Sequence, residues 1–333
     1  MAKGEFELIH QFFTQSQKVK RKDVILSIGD DCALLDVPQG KNLAITTDTM
    51  VENSHFYSNI APQDLGYKAI ATNLSDLAAM GAEPAWVSLA LTLPKVDEQW
   101  LQAFSEGVFE ILNEHHVALI GGDTTRGERI SVTVTAQGFV EKQTALCRHQ
   151  AKVGDLIYIS GTIGDALAGF YLLQSLQEGK KNEVNFAEEY LIQRHFRPTP
   201  RVALGNTLLE QQISHCALDL SDGLVGDLSH ILTRSGKSAV INLEDLPCSK
   251  QLVKLYGREQ AEKLALQGGE DYELCFTVSP QNKTLLEKYQ AEFGVKVTCI
   301  GHITEPQSQP IVFHKNGKNM ALQLNSFEHF SHD

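Results

Sequence analysis

The sequence predicts a mixed α/β (α+β) protein of two domains, and three observations carry that prediction. The chain has 333 residues, too many for one ordinary core and suited to two domains of about 150 residues each. Its composition, 42 % hydrophobic and 21 % charged, is that of a globular chain and not of a disordered one. Stretches of period two alternate with stretches of helical period, and the connections between them are short.

Ala44-Ile45-Thr46-Thr47 reads as the end of a strand. A helix is expected from about Asp64, an N-cap candidate, to Met80, where Gly81 stops it. Trp86 to Leu93 alternates, with Val87, Leu89, Leu91 and Leu93 on one face, as a half-buried strand does. From Asp97 the spacing of Trp100, Leu101, Phe104, Val108, Ile111 and Leu112 makes a helical core stripe. Val117 to Ile120 is a short apolar strand running into Gly121-Gly122-Asp123, and Ile130 to Ala136 alternates again. A second unit opens near Val153-Gly154-Asp155, with a strand at Leu156–Ser160 and a helix at Ile163–Leu176. Further helices, a strand at Glu273–Val278 and late strands near 296–300 and 310–314 complete it. The expected domains are therefore 1–150 and 151–333; strand order is not readable from sequence.

Several function classes are disfavoured. The net charge of −12 lacks the basic footprint of nucleic-acid binding. No apolar run reaches the roughly 18 residues a membrane span needs, and no signal-peptide pattern opens the chain. The six cysteines never fall at CxxC spacing, so they read as reduced thiols in a cytoplasmic protein, with neither a zinc site nor a redox pair.

The unusual feature is the placement of aspartates. They occur in Ile28-Gly29-Asp30-Asp31-Cys32-Ala33, in Thr46-Thr47-Asp48-Thr49 at an expected strand end, and in Asn73-Leu74-Ser75-Asp76 on an expected helix. Gly121-Gly122-Asp123-Thr124-Thr125-Arg126-Gly127 reads as a glycine turn ending in an acid; Asp219-Leu220-Ser221-Asp222-Gly223 and Gly268-Gly269-Glu270-Asp271-Tyr272 repeat the theme. Any one of these alone is a turn or a helix cap. Together they combine glycine, which lets a backbone approach a phosphate, with hard oxygen donors suited to Mg²⁺. Converging carboxylates repel, by about 1 kcal/mol per pair at 4 Å even in water, so such a cluster implies bound cations. No GxxxxGK[ST] loop and no VAIK, HRD or DFG set is present, so a nucleotide would be held through metals.

These motifs, from Gly4-Glu5-Phe6 nearly to the C-terminus, resemble the thiamine-monophosphate kinase family, within the superfamily typified by aminoimidazole ribonucleotide synthase. The shared segments are SIGDDCALL, TTDTMVENSHF, NLSDLAAMGAEPAW, LIGGDTTRG, DLSDGL and GGEDYELCF. The resemblance implies an aminoimidazole ribonucleotide synthase-like architecture and a homodimer whose N-terminal sheets pair. The N-terminal domain would bind metal and ATP, and the C-terminal domain would complete the substrate site. It implies ATP-dependent phosphorylation of thiamine monophosphate to thiamine diphosphate by direct transfer with several Mg²⁺ ions. Carried over by motif, the metal ligands are Asp31, Thr46, Thr47, Asp48, Asp76, Asp123, Asp219 and Asp222, with Asp48, Asp76 and Asp123 catalytic through bound metal. ATP contacts are Gly122, Asp123, Arg148 and Ser221, and substrate contacts are His55, Glu270 and Phe327.

Local reading supports these roles unevenly. Bringing two anionic phosphates together is mostly a matter of positioning and charge neutralisation, which suits many aspartates and no obvious nucleophile. Arg148 offers a guanidinium fork for phosphate, or is a surface arginine. His55, beside Phe56 and Tyr57, reads locally as a packed ring; Glu270 reads either as a partner for cationic rings or as a turn residue. Phe327 is either a stacking surface or core. Asp31 is favoured over Asp30 as a ligand, with Asp30 a turn or supporting acid, and Asn73 and Ser75 are expected to cap or orient. Three rivals stand beside this reading: another ATP-dependent enzyme of the superfamily, acting on a purine intermediate or on a selenium or carbamoyl carrier; a metal-dependent phosphohydrolase; and a non-catalytic nucleotide sensor. The selenium and hydrogenase-maturation branches rely on cysteines in a glycine-rich N-terminal segment or at the C-terminus, and this chain has neither.

Overall fold

A computed structural model describes residues 4–322 of the chain. Contacts divide it into two compact units, one of residues 4–77 and 82–143, the other of residues 78–81 and 144–322.

The first unit opens with α1 (Glu5–Ile9), which continues as a wider π-turn over His10–Thr14. A small antiparallel hairpin follows, β1 (Val24–Leu26) and β2 (Leu34–Leu35). Then come β3 (Lys41–Val51), α2 (Pro62–Ala79), β4 (Glu83–Leu93), α3 (Glu98–Glu114), β5 (Ala118–Arg126) and β6 (Ser131–Glu141). The four long strands form one sheet in the order β3-β6-β4-β5. Only β4 and β5 run parallel, and α3 is the crossover that parallel neighbours require. Asp97 caps α3 by accepting from the amides of Gln99 and Trp100, both at 3.1 Å, and Leu101, Phe104, Val108, Ile111 and Leu112 are buried along one stripe.

Burial alternates along β6, where Val132, Val134 and Ala136 are buried and Thr133, Thr135 and Gln137 are not. At the other end of the sheet Trp86 meets Phe139 edge to face at 5.0 Å, and its indole N–H donates to Asp23 at 3.1 Å. Arg21 also pairs with Asp23 at 2.8 Å. These contacts anchor the stretch that leads into the Ile28–Ala33 loop.

The second unit comprises β7 (Leu156–Ser160), α4 (Asp165–Gln177), α5 (Phe186–Phe196), α6 (Val202–Glu210), β8 (Cys216–Asp219), α7 (Leu224–Ser235), β9 (Ser238–Asn242), α8 (Lys250–Gln267), β10 (Leu274–Val278), α9 (Lys283–Tyr289), β11 (Val297–Thr304), β12 (Ile311–Lys315) and β13 (Lys318–Met320). Its seven strands are ordered β13-β12-β9-β11-β7-β10-β8, all antiparallel except β12 against β9. One core joins the central strands to α7 through Ile157, Ile159, Leu218, Leu228, Ile231 and Ile241. A second lies among α4, α5 and α8. Both sheets are mainly antiparallel, the α+β form of the expected class. No helix among the described residues is long and apolar enough to cross a membrane.

Three local expectations are corrected. Thr46-Thr47-Asp48-Thr49 is not a strand end but lies within the eleven-residue β3, paired throughout with β6. Gly121-Gly122-Asp123 is not a turn: after a register shift at Ile120, β5 runs through it to Arg126, because Ser88, Leu89 and Ala90 of β4 pair with these three residues. The second helix also begins earlier, at Pro62, which leaves Asp64 in its first turn; proline suits the start of a helix, where its missing N–H costs nothing.

Candidate active site

In the first unit the acidic motifs form two groups. The first lies between β3 and α2. The Thr46 hydroxyl donates a hydrogen bond to the carboxylate of Asp76. Asp48, two residues along β3 and so on the same face as Thr46, shares its surroundings with Asp76. Burial, and then the Asp76 charge, push the Asp48 carboxyl up to about 6. Thr47 projects to the opposite face, where its hydroxyl bonds that of Thr135 at 2.9 Å, and Thr49 repeats this with Thr133.

The second group lines a cleft of about 740 Å³ along β5, one edge of the sheet. Its walls are Ile9, His10, Phe13 and Thr14, the loop Ile28–Ala33, and Gly121–Thr124. Asp30, Asp31, Gly122 and Asp123 therefore share one cavity. Asp30 accepts from the Asp31 amide at 2.9 Å, so it shapes the turn that presents Asp31. Gly122 is obligatory by two criteria: its φ is +153°, and a Cβ there would stand 1.8 Å from the Leu89 carbonyl oxygen.

Register separates the two groups. Asp48 lies opposite Val134, which lies opposite Leu89 and then Gly122; Asp123 is in the next row, opposite Ala90 and then Thr133. Residues directly opposite share a face, so Asp48 and Asp123 point to opposite faces. Their strands are the two edges of the sheet, about 14 Å apart at roughly 4.8 Å per strand. His55 stands just past β3, half-buried; its Nδ1 accepts from the Val51 amide at 3.1 Å, which puts the proton of the neutral ring on Nε2.

In the second unit the DLSDG and GGEDYE motifs are stitched together. Glu270 N–H donates to the Ser221 carbonyl at 2.8 Å, Tyr272 N–H to Leu220 at 2.9 Å, and Leu220 N–H to Glu273 at 2.8 Å. Gly269 permits this approach, since a Cβ there would stand 2.4 Å from the Ser221 oxygen. Asp219 ends β8 and is buried; Asp222 begins the turn into α7, its amide donating to Asp227 at 3.0 Å. Burial, with the Asp222 charge adding, pushes Asp227 up to about 7, while the Arg148 guanidinium acts in the opposite sense. Arg148 is thereby placed near the Asp222–Asp227 turn, and its carbonyl is held by Ser235 at 2.9 Å.

Sequence reasoning missed the groups beneath this loop. Glu273 is fully buried and is gripped by Arg201 at 2.5 and 2.6 Å, Arg194 at 2.9 Å and Ser160 at 2.5 Å. Asp271 accepts from the amides of Gly164 and Ala166 at the start of α4, and burial with the Asp165 charge pushes it up to about 8. His195 Nδ1 lies 3.1 Å from Glu270. The available signal was Arg194-His195-Phe196-Arg197-Pro198-Thr199-Pro200-Arg201, a basic run in an acidic chain. Phe327 lies outside the described residues.

Among the described residues no three His, Cys, Asp or Glu side chains stand close enough to hold an ion by themselves. The chemistry of the first group nevertheless fits a small hard dication: a half-buried carboxylate with a raised pKa, a second acid beside it, and a hydroxyl. Phosphate oxygens and water would complete the coordination.

Residues 29–140 match the AIR synthase related protein N-terminal domain, and residues 152–313 its C-terminal domain. The thiamine-monophosphate kinase of Haemophilus influenzae is 54 % identical over 332 residues, 99 % of each chain. Among solved structures, the thiamine-monophosphate kinase of Stenotrophomonas maltophilia superposes with a TM-score of 0.84 at 42 % identity, covering 96 % of this chain and 99 % of that one. AaThiL complexed with AMPPCP and TMP superposes with a TM-score of 0.76 at 33 % identity, covering 98 % and 97 %.

Proposed function

The chain belongs to the AIR synthase related family and, within it, to the thiamine-monophosphate kinases, and we propose from that premise how its residues serve the reaction. The enzyme uses ATP to phosphorylate thiamine monophosphate, giving thiamine diphosphate. The observation that best supports a metal-assisted route is the Asp48–Asp76 pair, a partly buried acidic site that a cation would stabilise. Bound Mg²⁺ would neutralise phosphate oxygens, so that two anions can meet in line. Asp48 and Asp76 would hold such an ion, and Thr46 orients the Asp76 carboxylate for it. Asp31 and Asp123 face the β5 cleft, where Gly122 gives phosphate close access to the backbone. Thr47, directed to the other face, has only its main chain to offer on the Asp48 side. In the second unit Asp219, Ser221, Asp222 and Arg148 would take further metal and phosphate contacts, and Glu270 would face the cationic acceptor. His55 would meet substrate through Nε2.

We extend the proposal to a cytoplasmic homodimer acting on small molecules. Leu43 and Ile45, 38 % and 61 % exposed, flank the threonine ladder on the outer face of β3, a surface suited to a second sheet. Within one chain Asp48 and Asp123 lie on opposite edges and cannot share an ion. Pairing of N-terminal sheets is the arrangement that would bring one chain's β5 edge to the other's β3 edge.

The test is an end-point assay with ATP, Mg²⁺ and thiamine monophosphate, resolving thiamine species chromatographically, beside tubes with unphosphorylated thiamine and with EDTA. Thiamine diphosphate should form only from the monophosphate, with equimolar ADP, and chelation should abolish it. Free phosphate without diphosphate would indicate a hydrolase. Turnover persisting in chelator would exclude the metal roles.

A further inference from the structure

We infer that His195 is a positioning residue of the acceptor site, setting the Glu270 carboxylate in place to receive a cationic ring. The inference rests on the reading of Glu270 as a substrate contact. Glu270 and Tyr272 both adopt left-handed φ, +66° and +51°, a region that side-chain-bearing residues avoid. Such a loop persists only where its surroundings over-determine it. Here they do: three main-chain hydrogen bonds tie it to the 220–221 segment, Asp271 is buried against the start of α4, and Glu273 is locked by two arginines. These contacts fix the backbone and the neighbours of Glu270. Its own side chain, 32 % exposed, points toward the last turn of α5.

There the imidazole of His195, 4 % exposed, packs against Phe170 and Phe196, each ring centroid 5.7 Å away. Rings so enclosed cannot swing freely. Nδ1 stands 3.1 Å from Glu270 Oε2, a close charge–dipole approach and not an aligned hydrogen bond. A neutral ring protonated on Nδ1 and an imidazolium both present an N–H to that oxygen. Consecutive residues of one helical turn thus hold both sides of the loop, Arg194 taking Glu273 and His195 taking Glu270. A glutamate already held in place gives up less freedom when a cation binds, which is worth roughly tenfold in affinity.

The variants are His195→Phe, which keeps the aromatic packing and loses the nitrogen, and His195→Asn, whose amide N–H occupies the Nδ1 position. In His195→Phe, KM for thiamine monophosphate should rise about tenfold, with kcat and KM for ATP within twofold of wild type. His195→Asn should recover most of the loss, and adding Glu270→Gln to His195→Phe should be no worse than Glu270→Gln alone. An unchanged KM in folded His195→Phe overturns the role, as does His195→Asn being as impaired as His195→Phe. If His195→Phe does not fold, His195→Gln replaces it, because its amide sits at the Nε2 position and should not rescue. Glu270→Gln measured alone separates the two readings. If it leaves KM unchanged, Glu270 is not a substrate contact; if it raises KM while His195→Phe does not, only the role of His195 falls.

Discussion

Replacing Asp48 with Asn should stabilise the metal-free enzyme while disabling it. Folding moves the Asp48 carboxyl from its ordinary 3.8 up to about 6, through burial and through Asp76. A carboxyl whose pKa rises on folding favours the fold only while it keeps its proton. Its contribution is present below pH 4 and is lost as pH climbs through about 6. At pH 8 the cost in the ion-free protein is about 3 kcal/mol at roughly 1.4 kcal/mol per pH unit, which relaxation and entering water reduce to about 1–2 kcal/mol. Asparagine carries no charge and removes it. At pH 8 in EDTA the variant should therefore melt about 2–8 °C above wild type, and the difference should shrink to about a third of that near pH 4.5 and toward zero below about pH 4. Excess Mg²⁺ should raise the melting temperature of wild type by more than that of Asp48→Asn, while kcat falls at least about a hundredfold. Thermal melts across this pH range, with and without Mg²⁺, test all of this. Equal melting temperatures at pH 8 without metal would show that Asp48 bears no electrostatic strain, and the argument for a cation beside it would go with that.

Three other predictions follow from single contacts. In Gly122→Ala the new methyl would stand 1.8 Å from the Leu89 oxygen, so β5 must retreat; stability should drop by roughly 2–4 kcal/mol and Mg-ATP affinity at least tenfold, and a wild-type melt with normal nucleotide binding would refute the close approach. Arg201→Met removes two short bonds from buried Glu273, which should cost about 3 kcal/mol and lower the melting temperature by about 6–12 °C; a drop under about 2 °C would show that Arg194 alone suffices. Cys32 is exposed and lines the cleft with Asp123, so saturating Mg-ATP should slow its alkylation at least tenfold, read by peptide mass spectrometry; an unchanged rate would place the nucleotide elsewhere.

What could be read in the chain was whatever depends on neighbours in sequence. The helix from Asp97 announced itself through its apolar stripe, and Leu156–Ser160 through its composition, because both signals are local. The acidic motifs were legible as types of residue, since hard oxygen ligands beside glycine limit the chemistry available. Gly121-Gly122-Asp123 misled because two glycines favour a turn, whereas the hydrogen bonds that hold them in β5 come from a strand whose pairing no local rule reveals. Thr46 and Asp76 are 30 residues apart in sequence and touch only because α2 packs on β3. The same holds for the half-buried arginines that grip Glu273 and for His195 against Glu270. Sequence by itself determined the secondary structure's main outline and the family of chemistry. Tertiary structure decided which acids share a face, a cleft or a buried neighbour, because electrostatic and packing energies depend on distance through space and not on separation along the chain.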